Sequence, residues 1–435
     1  MLFDIKHSRV GPDEIAETIE SLETYRKSLL DVVELNNYES QEASILLPSD
    51  NTVYEEVEGV ANLLKSDALS YILVIGIGGS DLGAKAVYDA LYGHFDVIEP
   101  ERKPKMLFLD TNNTKVIQKI TALLKTCSHA HEFIINIVTK SGSTTETIAN
   151  AEIILHTVRE AFGEEGMGRV VVTTGKGSQL QHAAKKRNIH TLSIPPMVGG
   201  RFSVFSAVGL FPLLCAGIDV EAMLEGARDM RDKCLEEQIA KNIALQGASV
   251  LYRLRKAGKT ILTSFYFHSE LRSLGEWYRQ LLAESLGKKE DEKGNVVRSG
   301  ITPEVSVGST DLHSTGQLYL GGPRDKMTMF VTAHKVGGIV PIPDERVFGD
   351  ILPNLTEKTT EEIMTAILQG TMKAYEKAEL PFMEITLEEI SPYELGQFMQ
   401  SKMCETMYLG ELFGINAFDQ PNVEEYKSET KKLLA

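Results

Sequence analysis

The chain predicts an α/β protein built from two doubly wound parallel sheets, with helical segments at its N- and C-terminal ends. Three observations carry this prediction. Short apolar runs rich in β-branched residues recur between Tyr71 and Ile194, each followed by a stretch of helical spacing. Strands that alternate with helices need crossover connections, and crossovers make parallel strands. After Pro195-Pro196 the texture becomes more helical, yet strand-like runs return at Thr260–Phe265, Met327–Ala333 and Phe382–Thr386, so a second α/β unit follows the first.

Residues 12–36 and 51–66 read as helices from charge and apolar period, with a Pro48-Ser49-Asp50 break between them. Strands are predicted at Tyr71–Gly76, Met106–Asp110, Phe133–Thr139, Val170–Thr174 and Ile189–Ile194, separated by helices near 82–93, 113–126, 144–161 and 178–187. Ligands on such a sheet bind beyond the carboxyl ends of its strands, where the loops after the first and third strands meet. Helices dominate from Val204 to Lys256. A helix over Ser269–Leu286, a solvated charged loop over Lys288–Arg298, a long helix near 356–378 and two closing helices complete the pattern. The expected division is a helical segment over 1–66, α/β domains over 67–200 and 201–390, and a C-terminal helical arm over 391–435.

With 435 residues, 43% hydrophobic and 24% charged, the chain is long enough for a sizeable core and has an ordinary globular composition. A net charge of −16 argues against nucleic acid or an anionic membrane as the main partner. Cys127, Cys215, Cys234 and Cys404 form no Cys-x-x-Cys pair, which fits a reducing compartment and gives no sign of a metal site. The start MLFDIKHSRV lacks a signal-peptide core, and the uncharged run Phe202–Ile218 contains Pro212 and two glycines, so it reads as a buried helix. A cytoplasmic protein is expected.

The stretch Phe133–Asn150 concentrates chemistry. Its strand ends at Thr139, Lys140 follows, and Ser141, Ser143, Thr144, Thr145 and Thr147 then crowd five hydroxyls around a glycine. Ser143 and Glu146 have capping-box spacing, so a helix is expected to start there. A hydroxyl-rich turn at a helix N-terminus, beside a lysine, favours a bound phosphate over an ordinary capped turn.

Gly76-Ile77-Gly78-Gly79-Ser80-Asp81-Leu82-Gly83 holds the position of a dinucleotide fingerprint, but Asp81 stands where the third glycine belongs. A carboxylate there would repel a pyrophosphate, which disfavours a nicotinamide enzyme; Gly79 and Ser80 can still offer N–H groups to a sugar or a single phosphate. On the helix Leu271–Leu286, Glu284 falls roughly 20° from Trp277 at 100° per residue. A glutamate at the edge of an apolar face can serve as a general base when burial raises its proton affinity. From this helix alone, a boundary glutamate paired with Lys288 is the better reading. Arg201, His313, Gln420 and Lys427 are individually no more than polar surface residues.

Taken together, the segments GIGGSDLG (76–83), VTKSGSTTET (138–147), PMVGGRFSVFSAVGL (196–210), RQLLAESLGK (279–288), STDLHSTGQ (309–317) and FDQPNVEEYK (418–427) resemble the glucose-6-phosphate isomerase family from about Asn51 to Lys427. The resemblance implies two flavodoxin-like domains of sugar-isomerase type and aldose–ketose isomerisation between glucose 6-phosphate and fructose 6-phosphate without metal or other cofactor. It implies that Ser141, Ser143, Thr144 and Thr147 hold the phosphate with Thr139 and Lys140 beside them, and that Gly79, Ser80, Arg201 and Gln280 contact the sugar. Glu284 would shuttle the proton between C2 and C1, His313 would assist ring opening, and Gln420 and Lys427 would close the site. It further implies a homodimer with shared active sites, the histidine arriving from the neighbouring subunit. In the last motif Pro421, Asn422, Glu425 and Tyr426 replace what are often Trp, Gly, Leu and Gly. Two alternatives stay open at this level: a non-catalytic phosphosugar sensor, and an isomerase that also accepts mannose 6-phosphate.

Overall fold

The computed structural model describes residues 1–335 and 337–434. The chain opens with a short strand, β1 (Leu2–Asp4), then three helices: α1 (Pro12–Ser21), α2 (Glu23–Leu35) and α3 (Asn51–Leu64). Asp50 caps α3, its carboxylate accepting from the Val53 N–H at 3.1 Å. The segment expected to be purely helical therefore begins as strand.

The first α/β unit runs β2 (Tyr71–Ile75), α4 (Leu82–Leu91), β3 (Lys105–Leu109), α5 (Thr114–Leu124), β4 (Phe133–Thr139), α6 (Thr145–Met167), β5 (Val170–Gly175), α7 (Gln179–Lys186) and β6 (His190–Ile194). Its strands are all parallel in the order β3-β2-β4-β5-β6. Every residue of β4 is buried. Ile72, Val74, Ile134 and Val138 pack to one face of the sheet, and Leu73, Ile75, Ile135 and Ile137 to the other. That two-sided burial explains the unbroken apolar runs. The order reverses between β2 and β4, so the loops after them face one crevice. In α6 the helical dihedrals break at Gly163 (φ 58°), close to the predicted end.

The second half continues with α8 (Ala207–Cys215), α9 (Val220–Leu235), α10 (Ile243–Lys256), β7 (Ile261–Tyr266), α11 (Arg272–Leu286), β8 (Thr302–Val307), α12 (Gly316–Gly321), β9 (Lys326–Lys335), α13 (Thr360–Lys377), β10 (Phe382–Glu389), α14 (Pro392–Phe413) and α15 (Glu424–Leu434). The second sheet has the order β1-β10-β9-β7-β8, parallel except for β1, which pairs antiparallel with β10 at one edge. Strand β8 escaped the sequence reading because it is an edge strand, half-exposed and carrying Pro303 and Glu304.

Helix α14, assigned above to a C-terminal arm, is buried from Glu394 to Gly410. It lies against α9 at backbone contact: a side chain on Gly226 would meet the Tyr393 main chain, and one on Gly396 the Met223 main chain. Inside it Lys402 and Glu405 form a buried ion pair at 2.9 Å, and Tyr278 of α11 donates to Glu405 at 2.6 Å. Trp277, Tyr278, Leu281 and Leu282 bury α11 in a core continuous with the first unit. Helix α11 is thus clamped between the two halves. The expected buried helix within Phe202–Ile218 is α8, apolar on all sides.

Candidate active site

The crevice begins at the end of β4. The capping box expected from Ser143 and Glu146 does not form. Helix α6 starts one residue later, at Thr145, with Thr144 as its extended N-cap and no side-chain cap among the described residues. The Thr144 hydroxyl instead meets the buried Thr139 hydroxyl at 2.8 Å, and Ser141 Oγ accepts from the Ser143 N–H at 3.3 Å. Gly142 makes this turn at φ 69°, with Ser178 pressed against the place a side chain would need. Thr147 is 2% exposed, and its hydroxyl has no partner among the described residues. Ser141 and Ser143 are exposed and Thr144 half-buried, so an uncapped helix start with hydroxyls beside it can receive an anion from solvent. Lys140 flanks it, partly buried, its ammonium held below the usual lysine value by burial and by the Arg201 charge.

The loop after β2 forms the neighbouring wall. Gly79 packs directly on the Gly200 and Arg201 main chain, and any side chain there would collide with it. Ser203 Oγ donates to the Gly200 carbonyl at 2.6 Å and to that of Gly79 at 3.3 Å, locking the two loops together. Asp81, 1% exposed, turns inward beneath them; burial and the nearby Asp110 push its carboxyl up to about 8. A buried carboxyl that keeps its proton is not the solvent-facing charge that the sequence suggested beside a phosphate.

Arg201 is 4% exposed. Its Nε donates to Ser285 Oγ at 2.8 Å, and Nη2 donates to the carbonyls of Ala417 at 2.6 Å and Asp419 at 3.0 Å. Nη1 faces Gln420 Oε1 at 3.3 Å and Glu284 Oε2 at 3.5 Å. Burial pulls its guanidinium below the usual arginine value, with Glu284 and Asp419 opposing. Gln280 Nε2 donates to the other Glu284 oxygen at 3.2 Å, while Gln280 Oε1 is buried without a partner among the described residues. Glu284 differs from the expected desolvated base: its side chain keeps 35% of its surface and faces a guanidinium rather than hydrocarbon. Nor does it pair with Lys288, which donates to the Glu284 main-chain carbonyl at 2.9 Å.

Two expected residues stand apart. His313 occupies an exposed turn after β8, and its ring has no hydrogen-bond or ion-pair partner among the described residues. Lys427 lies on α15, none of whose residues is buried, and donates to Glu424 at 2.8 Å. The sequence reading missed Ser285 and the carbonyls of Ala417 and Asp419, and Lys288, expected at the start of a solvated charge run, is buried because its ammonium is held by main-chain carbonyls and Asp419. Ser285 and Lys288 lay inside a quoted motif, but backbone acceptors leave no residue-type signal. No group of three or more His, Cys, Asp or Glu is placed to hold a metal among the described residues.

This arrangement can hold a phosphate at one end of a crevice and present one carboxylate, backed by a fixed cation, at the other. Comparison with known proteins bears on the family. A model of the phosphoglucose isomerase family matches residues 55–435. The glucose-6-phosphate isomerase of Methanocaldococcus jannaschii is 36% identical over 363 residues, covering 83% of this chain and 84% of that one. That of Carboxydothermus hydrogenoformans is 34% identical over 382 residues, covering 87% and 82%. A solved hypothetical protein from Thermus thermophilus superposes with a TM-score of 0.89 at 32% identity, covering 100% and 99% of the two chains. The glucose-6-phosphate isomerase of Chlamydia trachomatis shares the fold at a TM-score of 0.81 and 21% identity, covering 99% and 88%. The chain belongs to the phosphoglucose isomerase family.

Proposed function

We propose that Glu284 and Arg201 carry out, in this chain, the aldose–ketose exchange between D-glucose 6-phosphate and D-fructose 6-phosphate through a cis-enediol. The observation that carries this reading is the Glu284 carboxylate 3.5 Å from a buried guanidinium, in the crevice that also holds the hydroxyl cradle. Ser141, Ser143, Thr144 and Thr147, with Thr139 and Lys140 beside them, take the phosphate and fix the inert end of the substrate. Gly79, Ser80 and Gln280 contact the sugar, the unpartnered Gln280 Oε1 accepting from a substrate hydroxyl. Glu284 removes the proton from C2 and returns it to C1 on the same face. Charge grows on the oxygens of the enediolate, and Arg201, already fixed by three protein acceptors, stabilises it without reorganising. Gln420 borders this end of the site.

His313 is assigned to ring opening in a homodimer, as the partner's contribution to a shared site. Its exposure supports this, as does the run Ile339, Val340, Val347, Phe348, Ile351 and Leu352, each more than half exposed. Sedimentation at micromolar concentration checks the dimer; a monomer with full activity would refute sharing. Lys427 is assigned to closing the site and would have to leave its pairing with Glu424 to do so. A cytoplasmic setting is supported by four free, buried cysteines, and no helix is long and apolar enough to cross a membrane among the described residues.

Glu284→Gln tests the assignment. It keeps the shape and removes the base, so kcat falls by about 10²–10⁴-fold in a coupled assay with fructose 6-phosphate while KM changes little. Activity within a few-fold of wild type would refute the role of Glu284. Mannose 6-phosphate, assayed in the same way, decides the breadth of specificity.

A further inference from the structure

Lys288 lies two residues beyond α11, the helix that carries Glu284, and is 5% exposed. Its ammonium has three acceptors: the Glu284 carbonyl at 2.9 Å, the Asp419 carbonyl at 2.6 Å and Asp419 Oδ1 at 3.2 Å. The same Asp419 carbonyl accepts from Arg201 Nη2 at 3.0 Å. One connected path therefore runs from the main chain of the base, through Lys288, to the loop that orients the guanidinium. That loop gives Arg201 two carbonyls and the Gln420 side chain.

We propose that Lys288 is a positioning residue for the isomerisation, setting the separation of Glu284 and Arg201 by tying the end of α11 to the 417–420 loop. It does not touch substrate, because its N–H groups are already engaged by the protein. A plain helix C-cap would explain the bond to the Glu284 carbonyl alone. It would not explain a second buried cation beside Arg201 when an apolar side chain would fill the same space without desolvating a charge. The groups facing Lys288 are Asp419 and Glu284, which favour its charge, and Arg201, which with burial lowers its proton affinity. The inference rests on the function proposed above.

The test compares full-length wild type, Glu284→Gln, Lys288→Met and Lys288→Arg, using fructose 6-phosphate and glucose 6-phosphate deuterated at C2. Lys288→Met frees the loop, so kcat falls by about 10–100-fold while KM stays within about threefold, because the cradle is untouched. The deuterium effect on kcat rises as proton transfer becomes slower relative to the other steps. Lys288→Arg keeps the charge but not the three-acceptor geometry and recovers part of the loss. A folded Lys288→Met with kcat within about twofold of wild type overturns the proposal. So does a loss confined to KM, or one with an unchanged isotope effect. Should the methionine variant fail to fold, Lys288→Arg decides: a roughly tenfold drop in kcat with KM held supports the role, and wild-type kcat overturns it. An inactive wild type would instead overturn the function itself, whereas active wild type, inactive Glu284→Gln and unimpaired Lys288 variants would overturn only the role of Lys288.

Discussion

Burial of Arg201 behind Ser285, Ala417 and Asp419 fixes where its remaining face points, toward Glu284 and Gln420. Lysine carries the same charge but no fork, so it cannot keep both the carbonyl contacts and the approach to Glu284. Arg201→Lys should lower kcat by about 10²-fold or more, read in the coupled assay. Thr147 offers a cleaner separation of binding from stability. Its buried hydroxyl lacks a partner among the described residues, so Thr147→Val removes an unsatisfied polar group without changing shape. The variant should be as stable as wild type, or firmer by about 1 kcal/mol in denaturant unfolding, while KM for sugar phosphate rises about tenfold. Asp81 gives a pH dependence. Its native value of about 8 lies above the unfolded one, so the folded state keeps a proton that the unfolded chain has lost. Stability therefore drains away as pH rises from about 4 to about 8. Asp81→Asn should gain about 1–3 kcal/mol over wild type at pH 8, and the gain should vanish near pH 4 in paired melts.

At the scale of elements, the close contact of the β2 loop with Gly200 makes Gly79→Ala a test of how tightly the walls are joined. The added methyl must push main chain against main chain, so stability should fall by about 1–3 kcal/mol in denaturant melts, with kcat falling too as Arg201 shifts. The elements themselves were unequally legible. Strand β4 was readable to the residue because burial on both faces leaves a run of apolar or β-branched positions interrupted only by Asn136. The edge strands β1 and β8 were not, one having three residues and the other a proline and a glutamate. The expected Ser143 cap did not form: Thr144 takes the N-cap position one residue later and turns its hydroxyl to Thr139. The burial of α14 was hidden by Glu394, Lys402 and Glu405, which look solvated until Tyr278 and the chain start supply partners.

Across the whole molecule, one core joins α8, α9, α11 and α14 to the inner face of the first sheet. In the assignment proposed above, the phosphate end comes from the first unit and the reacting end from the second, so neither half alone would supply a complete site. That division was legible through the cradle and through the motifs around Arg201 and Glu284. The bonds that hold the reacting end together were not, since they run through the carbonyls of Ala417 and Asp419. The exposed setting of Lys427 on α15 has a counterpart in sequence, where Pro421, Asn422, Glu425 and Tyr426 depart from the usual pattern.

Trp277 is the only tryptophan in the chain, and it is buried on the helix that carries Gln280 and Glu284. The protein thus contains a built-in optical probe on the helix that carries the proposed base. Emission excited at the red edge of aromatic absorption reports the packing of α11 and nothing else in the molecule. On titration with denaturant, the red shift of that emission should coincide with loss of turnover. A shift trailing well behind inactivation would show the substrate loops coming apart first, around a helix still held in place.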